Sequence, residues 1–179
     1  MIFTKTKIKD VYIVNTRPKI DNRGYFQRIF DIDEFRKIGI DFKIVQMNQS
    51  MSLQKGTVRG PHLQKPPKSE DKLIQCIKGS IFDVVIDLRS NSKTYGQWIG
   101  ETLDANNKMM LVPRGCAHGF QALENNTIIQ YPVSAYYKRE YEVGIRWDDL
   151  FINIDWPIKK VIVSEKDSEW PDFIPQKKS

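Results

Sequence analysis

The chain has 179 residues, 40% of them hydrophobic, with four Trp, nine Phe and seven Tyr, enough to bury one core in a single domain spanning 1–179. No apolar run approaches the roughly 18 residues of a membrane helix, and residues 1–14 alternate charge with apolarity, so a soluble, cytoplasmic protein with no membrane partner is expected. The net charge of +6 favours anionic partners, but Lys and Arg are scattered and no RNA-recognition or zinc-finger signature is present, which sets nucleic acid aside.

In chain order, 7–14 reads as a first strand. A short helix follows over 32–37, where Asp31 can cap, Glu34 lies three residues further on and Gly39 comes after the end. Residues 42–48 form the next strand. The β-branched runs 72–77 and 80–88, separated by Lys78-Gly79, have the pattern of a hairpin with a tight turn. Runs at 108–112, 127–134 and 159–163 repeat the theme, divided by Gly, Pro, Asn and Asp. Many short strands without alternating helices indicate an all-β sandwich, barrel or jelly roll. Cys76 and Cys116 lie in apolar, strand-like surroundings without ligand spacing and read as structural thiols. The lysine-containing end, 172–179, reads as an unstructured tail.

Only two histidines occur, His62 in Arg59-Gly60-Pro61-His62 and His118 in the Gly/Pro-marked segment 113–120. A lone histidine is usually structural or simply exposed, so each needs company to count as functional. Jelly rolls that bind a metal commonly offer His-x-His and a downstream Glu from one motif and a His from a second. Here Leu63 and Gln64 follow His62, the nearest Glu is Glu70, and Lys72 brings a cation that would repel a metal. One remaining histidine does not make a site, so no metal and no cofactor are expected.

An ordered set of segments resembles the RmlC family, the dTDP-4-dehydrorhamnose 3,5-epimerases. It opens with Asp21-Asn22-Arg23-Gly24-Tyr25-Phe26, continues through Val45-Gln46-Met47-Asn48 and Arg59-Gly60-Pro61-His62-Leu63-Gln64, and includes Lys72-Leu73 and Phe82-Asp83-Val84-Val85. Ala117-His118-Gly119-Phe120, Tyr131, Gly144-Ile145-Arg146-Trp147, Ile154-Asp155-Trp156-Pro157 and Ser164-Glu165-Lys166-Asp167 complete it. Each piece alone is weak; their order is specific.

The resemblance implies a cupin-type jelly roll with a few short helices, acting as a homodimer on a nucleotide-diphosphate sugar in the route to L-rhamnose. It implies proton removal α to a C4 ketone and return on the opposite face, through enolate intermediates that need a stabilising charge. By match to the family, His62 is the base, Asp167 orients it, Tyr131 is the opposing acid and Lys72 holds the enolate. Imidazole chemistry suits the first role, since its ordinary pKa near 6.5 leaves it largely neutral at working pH. Arg23, Arg59 and His118 match positions near the diphosphate, where Arg can bind bidentately. Phe26, Gln46 and Asn48 match positions linked to the nucleobase, the sugar or the partner subunit's contribution.

Three residues depart from the family pattern around this chemistry. Pro61 precedes the base and restricts the backbone there, Leu63 replaces a common phenol, and Pro132 follows the acid. They raise the alternatives of a C3-only or C5-only epimerase, or of one acting on another nucleotide sugar. A sugar-nucleotide-binding cupin without turnover is the alternative from a different class.

Overall fold

The computed structural model describes residues 1–175 and consists mainly of antiparallel sheet. The strands, numbered in chain order, are β1 (Ile2–Lys5), β2 (Tyr12–Asn15), β3 (Lys19–Asp21), β4 (Gly24–Phe26), β5 (Gln46–Ser52), β6 (Val58–Gln64) and β7 (Lys72–Lys78). They continue with β8 (Ser80–Asp87), β9 (Trp98–Asp104), β10 (Lys108–Val112), β11 (Cys116–Ala122), β12 (Thr127–Val133) and β13 (Glu142–Gly144). One sheet has the order β1-β2-β10-β7-β12-β5, the facing sheet β13-β6-β11-β8-β9, and β3-β4 stands apart as a hairpin. With two short α-helices, α1 (Ile32–Lys37) and α2 (Glu165–Ser168), this is the expected all-β jelly roll. Among the described residues no helix is long and apolar enough to cross a membrane.

Alternation within each strand divides the apolar residues among three layers. Ile74 and Cys76 of β7, Met110 and Val112 of β10 and Ile129 of β12 point between the sheets, where they meet Ile81, Val85, Leu103 and Phe120 of the facing sheet. The intervening Leu73, Met109 and Leu111 turn to the outer face, under Phe35 of α1 and Phe42. On the opposite outside, Val84, Ile86 and Ala117 lie beneath Ile145, Ile152 and Trp156. Strands covered on both faces must be apolar at consecutive positions, which is why β7, β8 and β10 are conspicuous in the sequence. Each fully buried Ile or Leu contributes about 1.5–3 kcal/mol relative to exposure.

The helix α1 forms as its caps dictate. The Asp31 carboxylate accepts from the Asp33 N–H, acidic residues occupy the first turn and Arg36 and Lys37 the last, complementing the helix dipole. Phe35 is its buried anchor.

Four strand expectations are corrected. β7 and β8 do not pair: β7 lies between β10 and β12, and β8 between β11 and β9. Gly79, at φ +75°, sends the chain from one sheet to the other, and a tight turn between two apolar runs looks alike in a hairpin and at a sandwich corner. Residues 159–163 form no strand and contribute a single parallel bridge, Thr57 to Ile162. The runs 7–14 and 42–48 become strand only from Tyr12 and from Gln46. Near the end of the described residues, the Phe173 N–H donates to Asp149 at 2.6 Å and its ring packs on Tyr95 and Phe151, so the expected tail is docked at this residue. Residues 176–179 lie outside the described residues.

Candidate active site

The inward positions of both sheets are apolar over most of the sandwich and become polar towards one end. Ile74 gives way to Lys72 on β7, Ile129 to Tyr131 on β12, Phe120 to His118 on β11, and Asp83 lies between Ile81 and Val85 on β8. Together with Arg59 and His62 of β6 and Ser164, Lys166 and Asp167 of the C-terminal segment, most of these groups line a cavity of about 230 Å³. A larger cleft of about 400 Å³ beside Asp10, Asp71 and Arg114 is a poorer candidate. Its charged groups are already engaged, Arg114 with Asp71 at 3.0 Å and Arg89 with Asp87 at 2.8 Å.

His62 and His118 face each other across the β6–β11 ladder. Gly60, at φ +73°, makes room for them: a Cβ there would lie 2.7 Å from the His118 carbonyl oxygen and 2.9 Å from His62 Nδ1. The His62 side chain keeps 31% of its surface open towards the cavity. Burial, reinforced by the nearby Lys72, His118 and Lys166, holds its pKa well below the ordinary imidazole value, so it is neutral at pH 7.

Lys72 is almost fully buried, with its ammonium 3.4 Å from a Glu70 carboxylate oxygen. Burial lowers its pKa, opposed by Glu70, Glu142 and Asp83. Burial raises the Tyr131 pKa, with Glu70 and Glu142 adding to the effect and Arg59 opposing it, so the phenol stays protonated. Arg59 is exposed at the cavity mouth, donating to the Met51 carbonyl at 2.9 Å.

Sequence reasoning thus named six residues that the fold gathers here: Arg59, His62, Lys72, His118, Tyr131 and Asp167. Asp167 does not hydrogen-bond to His62. Its carboxylate accepts from the Trp170 indole at 3.3 Å, and among the described residues His62 Nδ1 has no partner. Gln46 and Asn48 lie on edge strand β5, with Asn48 opposite Tyr131, and the Gln46 side-chain oxygen accepts from the Tyr137 N–H. Arg23 and Phe26 belong to the β3–β4 hairpin, where Phe26 is 66% exposed and Arg23 pairs with Asp21 at 2.7 Å. The fold does not bring them into this cavity within one chain.

Three acids were missed. Asp83 is fully buried and shares a 2.7 Å hydrogen bond with His118 Nε2; burial raises its pKa, opposed by His118 and Lys72. A single carboxylate inside the apolar run 81–86 was the available signal. Glu70 and Glu142 sit beside β7 and β6 in segments with no distinguishing pattern, so nothing in the sequence marked them. Of the departing residues, Leu63 packs into the outer layer rather than the cavity. Pro61 is buried after a cis peptide bond, and the β12–β7 register is the same on both sides of Pro132, with Gln130 opposite Gln75 and Val133 opposite Lys72.

A jelly roll whose open end pairs a neutral imidazole with a buried phenol, beside a buried ammonium, belongs to the cupin-type acid–base isomerases. The chain belongs to the dTDP-4-dehydrorhamnose 3,5-epimerase family, whose profile it matches over residues 5–174. It is 43% identical to the dTDP-4-dehydrorhamnose 3,5-epimerase of Sinorhizobium fredii over 97% of this chain and 90% of that protein. The crystal structure of the Bacillus anthracis dTDP-4-dehydrorhamnose 3,5-epimerase with TDP and PPi bound superposes with a TM-score of 0.93 at 39% identity, covering 96% of this chain and 99% of that one. The Legionella pneumophila enzyme RmlC, in complex with dTDP-4-keto-L-rhamnose, gives 0.90 at 34% identity, covering 96% and 92%.

Proposed function

We propose that the protein inverts C3 and C5 of dTDP-4-keto-6-deoxyglucose to give dTDP-4-keto-L-rhamnose, with His62 as base and Tyr131 as acid. The observation that carries this is their placement: His62 comes from β6 of one sheet and Tyr131 from β12 of the other, so the two line opposite walls of one cavity. A proton taken from one face of a sugar ring and returned from the other inverts the carbon.

Both C3 and C5 are α to the C4 ketone. His62 removes the proton from one of these carbons, the C–H electron pair moves into the ring, and the C4 oxygen becomes an enolate oxygen beside Lys72. Tyr131 then gives its proton to the opposite face of that carbon as the enolate collapses to the ketone. The imidazolium and phenolate return to their starting states through solvent, and nothing is oxidised or reduced.

Arg59, at the mouth, and His118, held by Asp83, suit the diphosphate. Asp167 lines the cavity wall beside His62, held by the Trp170 indole. Arg23 and Phe26, extended on their hairpin, together with Gln46 and Asn48, complete the nucleotide site of a cytoplasmic homodimer, Arg23 and Phe26 reaching into the partner's cavity. Exposed Tyr25 and Phe26 on the hairpin, and Met47 and Met51 on the free edge of the sheet, support such an interface.

Proton NMR in deuterium oxide, with dTDP-4-keto-6-deoxyglucose and either wild type or His62→Ala, tests the reading. Deuterium should enter at both C3 and C5 with wild type and at neither with the variant. Exchange at one carbon only would replace the double epimerase with a single one, and no exchange would turn the test to other nucleotide sugars and, if those also failed, leave a binding protein.

A further inference from the structure

Glu142 lies outside the proposed proton transfers yet is built into their surroundings. Its side chain is only 5% exposed, and β13 places it on the strand paired to β6, with Gly144 opposite His62. One carboxylate oxygen lies 3.9 Å from His62 Nε2. The other accepts from the Tyr137 hydroxyl at 2.8 Å and from the Lys166 ammonium at 2.6 Å. Lys166 in turn lies 5.7 Å from the centre of the Trp170 ring, and the Trp170 indole donates to Asp167.

We infer that Glu142 is a positioning residue with two tasks: it is the counter-ion of His62 in its protonated form, and it is the clamp that holds α2, with Lys166 and Asp167, over the cavity. The inference rests on the reading of His62 as the base.

The geometry separates Glu142 from the other charges around the ring. The cations Lys72 on β7, Lys166 on α2 and Arg59 on β6 itself oppose a further positive charge in the cavity, and the His118 imidazole on β11 acts in the same direction. Glu70 is engaged by Lys72 and by the Gln64 amide, Asp83 by His118, and Asp167 by Trp170, while Tyr131 is neutral. Glu142 alone among these acids is in ion-pair range of His62 Nε2. As the imidazole takes a proton from carbon, the new charge forms beside a carboxylate already in place and held by two donors, so no reorganisation is required.

Glu142→Gln keeps the shape and removes the charge. The chain has only two histidines, so their imidazole resonances can be followed by NMR, with His62→Asn fixing the assignment. In Glu142→Gln, His62 should titrate about one pH unit lower, the low end of what an opposite charge at this range does. The acidic limb of kcat/KM should move with it. Lys166→Met removes a cation and frees the carboxylate, so it should move both in the opposite direction. This second variant decides the matter if Glu142→Gln does not fold.

A folded Glu142→Gln protein whose His62 titration is unchanged, or a Lys166→Met protein in which it does not rise, would overturn the inference. Activity lost equally at all pH with the acidic limb in place would reduce Glu142 to a structural role. If His62 were not the base, His62→Asn would retain isotope exchange while the titration shifts persisted, so the two failures are distinguishable.

Discussion

Tyr131→Phe separates the two halves of the proposed reaction. The ring packs against the inter-sheet core, and no hydrogen bond to another described residue contributes to the state of its phenol, so removing the oxygen should cost less than about 1 kcal/mol of stability. A positioned general acid contributes about 10²–10⁴-fold, or roughly 3–5 kcal/mol of barrier. His62 stands on the opposite sheet and is untouched, so abstraction and its reversal from the same face remain open. In deuterium oxide the variant should therefore wash deuterium into the substrate with retention of configuration, while formation of the inverted sugar falls at least about a hundredfold. Both are read from one NMR time course, by loss of the C3 and C5 proton signals and by the coupling constants of the ring. Inversion at the wild-type rate, or exchange and inversion lost together in a folded protein, would refute the assignment of acid and base to opposing walls.

Lys72→Met should lower kcat by about 10²–10³-fold, the usual loss when one stabilising group is removed from a developing oxyanion, and it should do so without unfolding the protein, because Glu70 keeps the Gln64 amide 2.9 Å away. Cys76 and Cys116, both buried and free, have thiol pKa values pushed up by burial to about 11 and about 12, so neither should react with iodoacetamide at pH 8 until the protein is unfolded. Asp87, although buried, is held at a pKa of about 2 by hydrogen bonds from Arg89, Ser92 and Thr94 that outweigh burial. A depressed carboxylate stabilises the fold above its unfolded value, about 3.9, and that contribution, at most about 2.6 kcal/mol, is lost as pH falls through about 2. Thermal melts of wild type and Asp87→Asn should therefore differ most at neutral pH and converge towards pH 2, and a constant difference would remove Asp87 as the cause.

What could be read in the sequence follows the physics of burial. β10 and the helix α1 were found with their observed bounds because each carries a local signal, an apolar run in one case and a capping aspartate in the other. β6 and β11 escaped because Arg59, Gly60, Pro61, His62, His118 and Gly119 interrupt the apolar pattern that marks a strand. Those same residues are what the cavity requires. The six cavity residues named in advance came from the ordered resemblance, whereas spacing alone left His62 and His118 as ordinary histidines. That Glu142 approaches His62, and that β7 and β8 part into different sheets, depends on pairings between distant segments, which no local pattern encodes.

The buried polar groups at the open end also bear on why the fold tolerates them. Lys72, Asp83 and His118 replace what would be apolar layers of the same core, and burying charge in this way is costly even when the charges are paired. Removing one member leaves another exposed to the full penalty: without His118, Asp83 keeps a carboxylate with no hydrogen-bond partner among the described residues. The network is therefore held together by mutual need, while the apolar layers behind it, from Ile74 and Ile129 to Leu103, supply the stability that makes it affordable. Reaction geometry and fold stability are thus divided along the strands, with the proposed acid and base at one end of the sandwich and packing at the other.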